Sequence, residues 1–78
     1  MKHGIHFDEA KTIFNDAMSL TIVDNNHSQF EDRWLELGLS NSGRLLSVWY
    51  TERGGTIRII GSRIASRVEQ KAYFDAKS

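Results

Sequence analysis

Two short polar breaks fix most of what this chain can fold into. Asn41-Ser42-Gly43 and Arg53-Gly54-Gly55 interrupt a stretch, Arg33 to Gly61, whose side chains otherwise follow the period of an extended strand. Arg33 to Leu39 alternates, with Leu35, Leu37 and Leu39 on one side and Trp34, Glu36 and Gly38 on the other. Arg44 to Thr51 is apolar on both faces, and Thr56 to Gly61 sets Ile57 and Ile59 against Arg58 and Ile60. Breaks this short join antiparallel neighbours, so the segment reads as a meander of consecutive hairpins. A β-rich run at Leu20 to Val23 offers a further strand before the polar loop Asp24-Asn25-Asn26-His27-Ser28.

Helical spacing appears only outside this stretch. Phe7, Ala10, Ile13, Phe14, Ala17 and Met18 recur at three- and four-residue steps, so a helix is expected from about Phe7 to Met18 with Asp8 able to cap its first turn. Ser66 followed by Glu69 is a capping box, and Val68, Ala72, Tyr73 and Ala76 give the helix behind it an apolar stripe. The expected class is α+β: a small antiparallel sheet of three to four strands flanked by an N-terminal and a C-terminal helix. At 78 residues the chain, 1–78, reads as a single domain. It has no cysteine for a disulfide framework and no apolar run near the ~20 residues of a membrane span, which points to a cytoplasmic protein without membrane contact.

Charge narrows the chemistry. Residues 1–36 hold three basic and seven acidic side chains, and residues 37–78 hold seven and three, so a neutral chain is acidic by four in one part and basic by four in the other. His3, His6 and His27 follow no zinc spacing, so no metal site and no cofactor are expected. Arg53-Gly54-Gly55 lacks the lysine and helix of a nucleotide loop, and no serine sits in a nucleophile elbow. Arg53, Arg58, Arg63 and Arg67 remain, at spacings of five, five and four from the second turn to the last helix. Arginine stays protonated and is no general base, but it holds phosphates and stabilises charge developing on them. In RNA the 2′-hydroxyl is a built-in nucleophile, so orientation and neutralisation of the backbone already open a route to cleavage. The other reading is a solvated charged edge paired with Glu52, Glu69 or Asp75. Trp34 and Trp49, taken to share the face of Glu36, either stack bases or fill the core.

Four stretches occur in an order that resembles a known family. They are Lys2-His3-Gly4-Ile5 with Phe7 and Ala10; Asp24 and His27-Ser28 with Glu31 and Arg33; Gly38 through Gly43-Arg44 to Tyr50-Thr51-Glu52-Arg53; and Ile57-Arg58-Ile59-Ile60, then Ser62-Arg63, Ala65, Arg67, Glu69 and Tyr73. This set resembles the BrnT toxins, ribonucleases of bacterial type II toxin–antitoxin modules. The resemblance implies a RelE-like fold, metal-independent endoribonuclease activity that inhibits translation and growth, and neutralisation by a BrnA-like ribbon-helix-helix antitoxin. Operator DNA would be reached only through that antitoxin, and the toxin would form a homodimer or a heterotetramer with it. Carried onto this sequence, Arg53 and Arg67 would act on the scissile phosphate, Arg58 and Arg63 would bind flanking RNA, and His27 or Glu69 would transfer the proton. His27 qualifies because imidazole titrates near neutrality.

Two further expectations stand beside these. Met1 directly precedes the Lys2-His3-Gly4 stretch, which makes a shortened, catalytically decayed member acting only as an antitoxin-binding module the alternative. A sheet face bearing Trp34 and Trp49, too broad for two short helices to cover, is expected to be the apolar anchor for the antitoxin.

Overall fold

The computed structural model describes residues 5–23 and 33–77. Helix α1 covers Phe7–Thr12 and runs into a 3₁₀ turn at Ile13–Asn15. Strands β1 (Leu20–Val23), β2 (Trp34–Leu39), β3 (Leu45–Arg53) and β4 (Thr56–Ile64) follow, and helix α2 (Arg67–Lys77) closes the described chain. The strands form one antiparallel sheet in sequence order, β1-β2-β3-β4, so the architecture is α+β with a helix at each end. The Gly54-Gly55 turn takes φ of 54° and 84°, which glycine adopts without a Cβ clash. No described helix is long and apolar enough to cross a membrane.

The first helix is shorter than its apolar stripe suggests. Asp16 stops it: its backbone turns extended, and its carboxylate accepts bonds from the amides of Met18 (2.9 Å) and Leu39 (2.9 Å). The chain is thereby tied to β2 instead of continuing to Met18. Asp8 lies inside the first turn, where its charge suits the helix dipole, while the N-cap position is His6, with no side-chain cap bond.

α1 and the 3₁₀ turn cover one face of the sheet. Ile5, Ala10, Ile13, Leu46 and Val48 are buried there, with Phe14 and Ile59 packed against them. Gly38 allows the close approach, because a Cβ on it would stand 3.0 Å from Ile13 Cβ and 3.1 Å from the Ile13 carbonyl oxygen. Glu36 is buried on this face and accepts hydroxyl bonds from Ser19 (2.6 Å), Thr21 (2.7 Å) and Tyr50 (3.0 Å). Burial, and then the neighbouring Glu36 carboxylate, push the Tyr50 hydroxyl up to about 12, so it remains a donor. Glu9 fastens α1 to the β2–β3 turn through Ser40 (2.6 Å) and an ion pair with Arg44, which holds its carboxyl at about 2.

α2 covers part of the opposite face, over Leu37, Leu45 and Ala65, with Leu20, Leu35 and Leu39 at the margin. Tyr73, 1% exposed, is its anchor, and its hydroxyl donates to the Asp16 carboxylate. The capping box forms as the sequence implies: Glu69 N–H donates to Ser66 Oγ (3.2 Å), and Ser66 N–H donates to Glu69 Oε1 (2.8 Å).

The two tryptophans do not share a face. Trp34 pairs with Tyr50 on the α1 side, whereas Trp49 pairs with Leu35 on the α2 side, and both are half-buried. Trp34 and Trp49 differ in parity once the strands are in register, so the single aromatic patch expected from the sequence does not exist. Exposed apolar surface lies elsewhere, at residues that include Phe7, Ile57, Ile60, Ile64 and Val68.

Candidate functional site

Arg58 and Arg63 are five residues apart, and in a regular strand an odd spacing puts two side chains on opposite faces. β4 is not regular. Trp49 pairs with Gly61 and Tyr50 with Ile59, so Ile60 is an extra residue in the ladder. Such a bulge resets the alternation. Arg63 faces Ser47 and Arg58 faces Thr51, four positions apart on β3, and therefore both belong to the α2 side. Arg53, two beyond Thr51 and opposite Thr56, joins them. The face thus carries Ser47, Trp49, Thr51 and Arg53 from β3 and Arg58 and Arg63 from β4.

These arginines are not equivalent. Arg63 is engaged on three sides: its guanidinium donates to both Glu69 oxygens (2.7 and 2.8 Å), donates to the Ile64 carbonyl (3.1 Å), and lies 4.9 Å from the centre of the Trp49 ring. Ser47 Oγ also donates to Glu69, at 2.8 Å. Burial works to raise the Glu69 carboxyl, but Arg63, the Ser66 amide and Ser47 overcome it and hold the group at about 2. A carboxylate so weakly basic is a poor proton acceptor, and its charge already fills the N-terminus of α2. Glu69 is a lock joining helix, sheet and Arg63. Arg58 and Arg67 are exposed and make no ion pair among the described residues; Arg53 is exposed as well.

The Glu69 lock has a signed pH consequence. The folded pKa lies below the ordinary value of 4.5, so the stabilisation is complete above that value and fades as pH falls toward 2. Acid unfolding followed by circular dichroism therefore shows part of its stability loss between about pH 4.5 and pH 2, and Glu69→Gln removes that part. An unchanged acid profile in the variant would disprove the lock.

The remaining residues marked in the sequence fall as follows. Arg53 and Arg63 stand six residues apart along β3, or ~20 Å at about 3.3 Å per residue. Arg67 starts α2 beyond the Arg63 end, so Arg53 and Arg67 do not converge on one point. His27 lies outside the described residues. Among the described residues no three His, Asp or Glu side chains gather closely enough to hold a metal ion. Trp49, positioned between the two arginine groups, was marked in the sequence as a base-stacking or core residue but assigned to the wrong face; the β2–β3 pairing would have been needed to place it.

Comparison with known proteins returns one family. Residues 1–69 match the family model described as the ribonuclease toxin, BrnT, of type II toxin-antitoxin system. No curated protein matches the chain.

Proposed function

We infer the activity from one premise: this chain belongs to the BrnT family of ribonuclease toxins of type II toxin–antitoxin systems. It is a metal-independent endoribonuclease that acts in the cytoplasm, slows growth by cutting RNA, and is held inactive by a BrnA-like antitoxin. The observation that carries the reading is the β3–β4 hairpin register, which sets Arg53 and Arg58 on one sheet face with Trp49. Two guanidinium groups a hairpin's width apart suit adjacent oxygens of a ribose–phosphate backbone, and the half-buried indole offers a stacking surface for a base.

In the proposed reaction the 2′-oxygen attacks the adjacent phosphorus, and the bond from phosphorus to the 5′-oxygen breaks. The 2′-hydroxyl gives up a proton and the departing 5′-oxygen takes one, leaving a 2′,3′-cyclic phosphate and a 5′-hydroxyl. Arg53 and Arg58 neutralise the charge that builds on the non-bridging oxygens. Arg67, at the far end of the face, meets a flanking phosphate. Arg63 is spent on Glu69 and Trp49 and holds the platform rather than the substrate. His27 is the group suited to proton transfer, since Glu69 is too weak a base.

Purified protein incubated with RNA and a chelator tests this directly. Cleavage persists under chelation and leaves ends that a polynucleotide kinase labels without prior phosphatase treatment. Loss of cleavage on chelation would overturn the metal-free mechanism, and 5′-phosphate ends would overturn attack by the 2′-oxygen.

A further inference from the structure

The exposed surface on the α1 side of β4 is not explained by RNA binding. β4 is the sheet's edge and pairs only with β3 among the described residues, so its first stretch, Thr56–Ile59, presents an open row of backbone donors and acceptors. The bulge at Ile60 interrupts the edge immediately afterwards and separates this stretch from Gly61–Ile64. Beside them, Phe7, Phe14, Ile57 and Ile59 line a cleft of about 290 Å³ between α1 and the strand, with Lys11 at its rim. Ile57 is 44% and Phe7 51% exposed, an unusual loss of apolar burial in so small a chain.

We propose that Thr56–Ile59 and the Phe7–Phe14–Ile57–Ile59 cleft form the docking site for a short extended segment of the antitoxin with alternating apolar and acidic residues. A strand added to this edge sends every second side chain to the α1 side, where the cleft accepts apolar groups and Lys11 accepts a carboxylate at the rim. Its other side chains emerge beside Arg58, the only charged residue of the pairing stretch, and an acidic residue there is both attracted to and occludes the guanidinium proposed to hold RNA. Docking and neutralisation are then one event. A second copy of this chain is the poorer occupant: antiparallel self-pairing of Thr56–Ile59 brings two Arg58 side chains together with no acid to offset them. The inference rests on the toxin–antitoxin reading and adds the place and chemistry of contact.

The test uses the full chain co-expressed with the protein encoded by the neighbouring gene. Ile57→Glu and Phe7→Asp, from different elements, each weaken the complex at least tenfold, and Ile57→Lys weakens it less than Ile57→Glu. Val68→Glu, on the exposed side of α2, leaves affinity unchanged. Hydrogen exchange on the unaltered complex gives a readout independent of any variant: amides of residues 56–59 slow on binding. If the complex forms but neither exchange at 56–59 nor affinity responds, the docking site is wrong and the antitoxin reading stands. If the unaltered chain ignores its neighbour, that reading falls and the proposal with it. A homodimer that Ile57→Glu disperses, with antitoxin affinity unaffected, assigns the edge to a second copy and overturns the proposal.

Discussion

Replacing Arg53 and Arg58 together with alanine lowers RNA cleavage by at least two orders of magnitude while leaving the melting temperature close to that of the parent. The size follows from what the pair is asked to do. Removing one preorganised donor to a developing oxyanion typically costs ~10²–10³ in rate, or about 3–4 kcal/mol of transition-state stabilisation. Stability is spared because both side chains are exposed, and exposed charges contribute ~0–1 kcal/mol each. Arg→Lys at either position restores charge without the planar fork and recovers only part of the rate. Arg67→Ala, by contrast, costs about tenfold or less, since Arg67 starts the helix beyond the far end of the same face. Rates are compared as kcat/KM on one RNA at fixed salt, with melting curves for each variant. A double variant that cuts at the parent rate removes Arg53 and Arg58 from the site, and an Arg67 effect larger than theirs moves its centre to the α2 end.

The second large effect is on the fold. Tyr73→Ala is expected to cost about 3–5 kcal/mol, the usual range for deleting a buried aromatic ring. Tyr73 is 1% exposed and packs α2 on Leu37, Leu45 and Ala65. Its hydroxyl also donates to Asp16, the residue that ends the first helix region and takes the Leu39 amide. Burial, then Asp16, push that hydroxyl up to about 12, so it stays a donor across the working pH range. A chain of 78 residues has a total stability of roughly 4–12 kcal/mol at 0.05–0.15 kcal/mol per residue, so the loss is a large share of the whole. Urea unfolding reads it as a drop in midpoint. Tyr73→Phe keeps the ring and loses only the hydroxyl bond, at about 1–2 kcal/mol. If the alanine variant is no less stable than the phenylalanine one, α2 is not anchored through this ring.

Both predictions rest on features that differ in how far they can be read from the chain. Gly54-Gly55, the alternation through Leu35, Leu37 and Leu39, and the pairing of Ser66 with Glu69 are local: each specifies a turn, a strand or a helix start within a few residues. They determine the element order and the α+β class. Tertiary structure decided how those elements are phased. Strand side chains have a period of two, so one added residue at Ile60 moves everything beyond it to the other face. The hairpin pairing puts Arg53 and Arg58 on one face, that added residue brings Arg63 to join them, and parity across β2 and β3 separates Trp34 from Trp49. The helix stop at Asp16 and the capture of Arg63 by Glu69 likewise depend on partners distant in sequence or on another element. The sequence sets what each segment prefers locally; register and docking are settled only when segments meet, because their energies belong to pairs of residues that the linear order keeps apart.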